Sequence, residues 1–79
     1  MTCIATKPSN GAIKSKKELQ LLLNTDPNNV IITDPSVFAP RSFRASEMQL
    51  GQKEICTNHP KRSWFVTITR VAAGAWLVK

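Results

Sequence analysis

The sequence predicts an α+β fold: one N-terminal helix packed on a small antiparallel sheet of three to four strands that ends in a β-meander. Two observations support this prediction. A serine followed by leucines at helical spacing marks a single helix, and three strand-like runs with short turns fill the C-terminal third. A chain of 79 residues allows one domain with a core of limited size. We therefore expect residues 15–79 to form a single α+β domain.

Residues 1–14 precede that domain and have a different composition. They contain turn-forming residues from Pro8 to Gly11, scattered lysines and few apolar side chains. A segment with so little apolar surface does not offset the entropy that it loses on ordering. We expect residues 1–14 to be a flexible basic N-terminal arm.

The helix is predicted to begin after Ser15. Ser15 and Glu18 match the capping box, in which the serine oxygen accepts a hydrogen bond from a first-turn amide. Pro27 ends the helix, because the residue before a proline is pushed out of helical geometry. Its apolar stripe is formed by Leu19, Leu22 and Leu23.

The middle of the chain gives weaker signals. The β-branched run 30–33 predicts a buried strand. Asp34 followed by Pro35 is typical of a helix start, so we expect one helical turn through Val37 and Phe38. From residue 41 to residue 50 the pattern is weak, with a short strand as one candidate.

The C-terminal third predicts the meander, with strands at 53–57, 63–71 and 75–78. In the long strand, Trp64, Val66 and Ile68 share one face, and we predict that this face is the core side. Phe65 then points to the other face, which is either exposed or covered by a second layer.

Charge is unevenly distributed along the chain. The formal net charge is +6. Residues 1–17 contain four lysines and no acid, residues 18–40 contain three acids and no base, and residues 41–79 contain seven bases and two acids. Such a chain favours oriented docking over uniform attraction to anions.

No residue set for catalysis, a metal or a cofactor is recognisable. A single histidine excludes most histidine-based acid–base pairs, and no glycine-rich phosphate loop is present. Cys3, Cys56 and His59 supply too few ligands for a typical zinc site, and we expect no disulfide framework from two cysteines. We predict a non-enzymatic protein without a cofactor or a metal.

The apolar runs are too short to cross a bilayer, and the N-terminus does not resemble a secretory signal. We therefore expect a cytoplasmic protein with no membrane partner.

Two clusters are candidates for binding. The first is the turn between the first two meander strands, where Lys61 and Arg62 beside an exposed ring would hold phosphate while the ring stacks on a base. The alternative is that the aromatic residues are packing residues and the cations are solvated turn charges. The second cluster alternates aromatic residues with Arg41 and Arg44, and its alternative is an irregular connection anchored by Phe38 and Phe43.

Lysines near the helix start are mildly unfavourable to the helix, which is weak evidence for an anionic partner. The candidate partner-binding or nucleic-acid-binding residues are therefore Lys16, Lys17, Arg41, Arg44, His59, Lys61, Arg62 and Phe65.

The segment 57–65, with Gly51-Gln52 before it and Gly74-Ala-Trp-Leu-Val78 after it, resembles short uncharacterised proteins encoded by bacteriophages. The resemblance implies a protein made in the cytoplasm of an infected bacterium. There it would modulate or inhibit host nucleic-acid machinery, such as a CRISPR-type defence complex or RNA polymerase. It assigns no functional residues.

Two hypotheses follow. In the first, a basic surface docks on an acidic or nucleic-acid-binding surface of a host protein complex. In the second, the protein binds DNA or RNA directly through basic and aromatic residues of the meander. Homodimerisation through an open strand edge is a further possibility.

Overall fold

The computed structural model describes residues 2–58, 61 and 64–79, and it confirms an α+β fold. One helix, α1 (Lys16–Thr25), packs with one mixed sheet. The strands follow the order β4-β3-β1-β5-β6-β7, and β2 pairs with β1 outside this path. Their bounds are β1 Cys3–Lys7, β2 Gly11–Ala12, β3 Ile31–Asp34, β4 Arg41–Arg44, β5 Lys53–Thr57, β6 Phe65–Ala72 and β7 Ala75–Val78.

The helix begins where its cap predicts. The Glu18 amide donates to Ser15 Oγ at 3.0 Å, which satisfies one of the first-turn amides that have no partner within the helix. Helical hydrogen bonding ends at Asp26, directly before Pro27. Leu19 and Leu23, one turn apart, are fully buried. The apolar stripe therefore faces the sheet, as predicted.

The segment expected to be a flexible arm instead contains β1, which lies between β3 and β5 inside the sheet. Cys3 and Ala5 alternate as buried residues along β1, and Ile13 is fully buried after β2. The expectation was wrong because these inward residues are mostly small, so their alternation carries little hydrophobic signal.

The prediction of a purely antiparallel sheet of three to four strands is also corrected. β1 and β5 pair in parallel, with Cys3 opposite Cys56 and Ile4 opposite Thr57. The additional strands come from segments whose sequence patterns are weak. Residues 1–14 contain β1 and β2, and residues 41–50 contain β4. Because β1 brings the start of the chain beside β5, the two cysteines become direct neighbours in the sheet.

The β-meander is confirmed as β5, β6 and β7, all paired antiparallel. Val66, Ile68 and Trp76 are buried on its inner side, and Trp64 is partly buried against the same core. Phe65 is exposed. The two-residue alternation therefore orients both aromatic residues of the pair as the sequence predicts.

The predicted helical turn after Asp34 does not form, and a bent loop joins β3 to β4 instead. Asp34 Oδ1 accepts from the Ser36 amide at 3.1 Å, and Ser36 Oγ accepts from the amides of Phe38 and Ala39. Side-chain oxygens thus accept the hydrogen bonds of backbone amides that would donate to carbonyl oxygens in a helical turn. Val37 and Phe38 point into solvent.

Candidate interaction surface

The outer side of the meander carries exposed apolar side chains, although Thr57, which shares their strand parity, is buried. Ile55 is 56% exposed, Phe65 41% and Leu77 42%, although all three are large and apolar. They occupy the strand positions that alternate with the buried ones, so they face away from the core under α1. We call this surface the meander face; its residues are Lys53, Ile55, Phe65, Thr67, Thr69, Leu77 and Lys79.

The strand register places these side chains in contiguous rows. Ile55 lies opposite Thr67, and Leu77 lies opposite Thr69, so threonines of β6 separate the two aliphatic residues. Directly opposite residues on one sheet face lie about 4.5–5.5 Å apart. Lys53 and Lys79 are exposed at the margins of this group. The surface therefore combines exposed apolar side chains on β5, β6 and β7 with threonines between them and lysines at its margin.

The turn that precedes Phe65 carries Lys61, which is exposed. Asn58, at the base of this turn, is buried and donates from Nδ2 to the carbonyl oxygen of Ile13 at 3.1 Å. That bond joins the turn to the segment that leads into α1, where Lys16 and Lys17 are exposed. The hydrogen bond thus places Asn58 beside the segment that precedes the helix lysines. His59 and Arg62 lie outside the described residues.

Arg41 and Arg44 lie outside the meander. Both lie on β4, the sheet edge opposite to β7, and three strand spacings separate β4 from β5. Arg44 Nη1 donates to the carbonyl oxygen of Asn28 at 3.0 Å. Arg41 and Arg44 thus start from the β4 edge of the sheet, and the Arg41 side chain reaches Glu54 on β5.

Arg41 belongs to an ion-pair cluster. Its guanidinium lies 3.4 Å from Asp34 Oδ2 and 3.2 Å from Glu54 Oε1, and Glu54 raises the pKa of Arg41. Glu54 also accepts from Gln52 Nε2 at 3.2 Å. Because two carboxylates surround this one cation, Arg41 contributes less to the attraction of an external anion than the sequence suggests.

Each of the five acidic side chains accepts a contact from within the chain. Lys7 pairs with Glu18, and its hydrogen bond is the main reason why the pKa of Glu18 lies below the ordinary value. Besides Asp34 and Glu54, Asp26 accepts from Asn29, and Glu47 accepts from the Arg44 amide. Carboxylates are therefore engaged internally, while exposed lysines such as Lys16, Lys17, Lys53 and Lys79 face solvent without an ion pair among the described residues.

Arg70 has a structural role that the sequence interpretation missed. Its guanidinium donates to the carbonyl oxygens of Met48 at 2.5 Å and Ala73 at 2.6 Å, and it stacks over the Trp76 ring at 4.8 Å. A signal was available, because Arg70 continues the alternation of Val66 and Ile68 and so points to the inner side. Arg70 thus holds the loop before β5 against the meander.

The two cysteine thiols are buried neighbours. Burial is the main cause that raises the pKa of Cys3 to about 11, and Glu54 adds to it by accepting from Cys3 Sγ at 3.4 Å. Burial likewise raises the pKa of Cys56. Thiols in this state are poor nucleophiles. In the part of the chain that the structure describes, no three His, Cys, Asp or Glu side chains are arranged to hold a metal ion.

Comparisons of the chain with protein-family models, curated proteins and solved structures found no match. Among residues 2–58, 61 and 64–79, no helix combines the length and the apolar character needed to cross a membrane.

Proposed function

We propose that this chain is a small non-enzymatic binding protein whose meander face docks on an acidic surface of a larger protein. The observation that supports this most is the exposure of Ile55, Phe65 and Leu77 on one sheet face. Isolated exposed apolar residues are ordinary, whereas a group on one face is typical of an interaction surface. A desolvated apolar centre with a polar rim is also the usual anatomy of a protein interface.

The charge distribution favours an acidic partner. The chain carries a net charge of +6, and its carboxylates are engaged internally. Lys53 and Lys79 border the meander face, and Lys61 lies in the turn next to Phe65. Complementary charge at the rim of an interface accelerates association and suppresses wrong partners.

A protein partner fits this surface better than a nucleic acid. Sheets that bind single-stranded RNA stack two or three bases on aromatic side chains. Trp76 is buried and Trp64 packs against the core, so Phe65 is the one aromatic ring on the meander face among the described residues. Direct DNA or RNA binding, with Phe65 stacking beside Lys61, is the second candidate function.

The resemblance to short bacteriophage proteins supplies the class of partner. A basic protein of this kind would act as a modulator or inhibitor of host nucleic-acid machinery, for example a CRISPR-type defence complex or RNA polymerase. Complexes that contact nucleic acids expose channels and subunit surfaces to which a compact basic protein can bind competitively. In this proposal the chain acts by occupying such a surface and performs no chemistry.

A capture experiment with matched variants tests the proposal. Immobilised wild-type chain is exposed to nuclease-treated bacterial lysate, next to Phe65→Glu and Leu77→Glu. Leu21→Glu and Leu50→Glu are the controls, because both leucines are exposed but lie outside the meander face. We expect a host protein that the wild type and both controls retain and that both face variants lose. Equal retention by all five chains, or none by the wild type, would contradict the proposal.

Fluorescence anisotropy with labelled single- and double-stranded oligonucleotides tests the second candidate. Non-specific nucleic-acid binders reach dissociation constants of roughly 10⁻⁴–10⁻⁶ M at physiological salt. We expect no binding below about 100 μM at low salt. Tighter binding that Phe65→Glu abolishes and Leu21→Glu preserves would favour the nucleic-acid candidate over the protein-docking one.

A further inference from the structure

The loop between β3 and β4, residues 35–40, presents an apolar tip that the proposed function does not use. We call it the tip loop. Val37 is 83% exposed and Phe38 is 96% exposed, so nearly the whole phenyl ring is in water. The loop lies at the β4 edge of the sheet, on the opposite side from the meander. Two adjacent apolar side chains with this exposure have no role in the core of the protein.

The tip loop is held in a defined shape. Besides the hydrogen bonds to Asp34 and Ser36, it has a proline at each end, and proline fixes its own backbone angle φ. The ion pair between Asp34 and Arg41 closes its base. A loop that is ordered before it binds loses little conformational entropy on binding. Phe38 is therefore presented at low entropic cost.

A shallow pocket of about 340 Å³ lies on the same hairpin. For comparison, a cavity of roughly 150 Å³ holds a benzene ring. The rings of Pro35 and Pro40 give the pocket apolar walls. Its lining residues are Thr33, Asp34, Pro35, Pro40, Arg41 and Ser42. The hairpin thus carries a protruding phenyl ring and, at its base, a shallow open pocket with apolar proline walls.

We propose that two copies of the chain associate through the β3–β4 hairpin, each inserting Phe38 into the pocket of the other. A protrusion and a pocket side by side on one surface become mutually complementary when a two-fold axis passes between them. The contact lies away from the meander face, so it does not depend on the proposed function.

The local charge favours a second copy as the occupant. Two chains of net charge +6 repel each other, which disfavours contact through their lysine-bearing surfaces. The tip loop contains no charged residue, and at its base Arg41 is balanced by Asp34 and Glu54. The hairpin is therefore a surface where two copies approach without strong repulsion. An anionic membrane finds no lysine in this loop to attract it.

Sedimentation equilibrium of the purified full chain tests the proposal. Because the contact is small, we expect a dimer with a dissociation constant on the order of 10–100 μM. Raising the NaCl concentration from about 50 to about 300 mM should tighten it several-fold, since salt screens the repulsion between the copies. Phe38→Ser and the pocket-filling Ser42→Trp should both remain monomeric. Leu50→Ser, at an exposed leucine in another loop, should dimerise like the wild type.

Three results would overturn the proposal. The first is a wild-type chain that stays monomeric up to about 500 μM, far above the expected dissociation constant. The second is a dimer that survives Phe38→Ser, with the native fold of that variant verified by circular dichroism. The third is a monomer that binds phosphatidylglycerol vesicles through Phe38, which would assign the tip loop to a membrane. Val37→Ser repeats the test at the adjacent position if Phe38→Ser does not fold.

Discussion

The Arg70 side chain connects two backbone segments and an aromatic ring. It donates to the backbone of the loop before β5 and of the turn between β6 and β7, and it stacks on Trp76. The hydrogen bonds to the carbonyl oxygens of Ser46 and Met48 are partly buried, so these two oxygens lose a partner in a place with reduced access to water if the guanidinium is removed. Lysine would not replace it, because only the planar guanidinium reaches several carbonyl oxygens at fixed angles.

We predict that Arg70→Met lowers the free energy of unfolding by about 2–3 kcal/mol, since hydrogen bonds from a charged donor contribute roughly 1.5–3 kcal/mol each and do not add fully. Urea unfolding followed by tryptophan fluorescence measures the change. Lys53→Met is the control, because Lys53 is exposed and its loss should change stability by less than about 0.5 kcal/mol. A loss of similar size in both variants would show that Arg70 is not structural.

The buried thiols predict how stability depends on pH. The pKa of Cys3 is about 11 in the folded chain against an ordinary value of 9.0, and the pKa of Cys56 is raised as well. Above pH 9 the unfolded chain therefore releases thiol protons that the folded chain retains. Since ionisation then favours the unfolded state, the stabilising contribution present below pH 9 is lost as the pH rises.

Comparing the wild type with a Cys3→Ala/Cys56→Ala variant measures this effect. We expect the wild type to lose stability more steeply than the variant from about pH 8 to about pH 10.5, because lysine titration is common to both chains and the thiols are not. Urea midpoints across the range give the two slopes. Parallel slopes would mean that the folded state does not protect the thiols.

At the scale of elements, β1 joins the two halves of the sheet and makes the sheet mixed rather than purely antiparallel. It pairs with β2, β3 and β5, and it carries the parallel pairing of the sheet. Without β1, the β3–β4 pair and the meander would not share a sheet. The N-terminal residues are therefore part of the core.

We predict that Ala5→Asp abolishes cooperative unfolding, because Ala5 is fully buried in β1 and the variant would bury an unpaired carboxylate. The control is Ser9→Asp in the exposed turn between β1 and β2, where aspartate tolerates the positive φ of 68°. Thermal unfolding by circular dichroism distinguishes the two variants. If Ala5→Asp melted like the wild type, residues 3–7 would not form a central strand.

Sequence patterns predict the elements with strong local signals and fail where pairing is long-range. The Ser15 cap and the alternation around Val66 are local, and both predict the structure correctly. β1 forms because β3 and β5 lie on either side of it, although its own residues give little periodic signal. The candidate surface shows the same contrast between local and long-range signals. The outward orientation of Phe65 can be predicted from the alternation along its own strand. The position of Arg41 on β4, outside the meander, becomes known only from the strand order in the structure.

At the scale of the whole molecule, a net positive charge is combined with exposed apolar side chains on the meander face. Two acidic residues of the middle segment, Glu18 and Asp34, form ion pairs with Lys7 and Arg41, and the chain as a whole keeps a net charge of +6. The meander face adds exposed apolar area to this positively charged chain. We therefore propose the meander face as the surface that contacts an acidic protein partner.

Hydrogen–deuterium exchange of the chain, alone and in complex with the captured host protein, tests this claim most directly. An interface slows amide exchange in the segments that it covers or rigidifies. If the meander face contacts the partner, exchange will be slower in peptides from β6 and β7, with α1 and β4 unchanged. Slowing confined to α1 and β4, with β6 and β7 unaffected, would contradict this proposal.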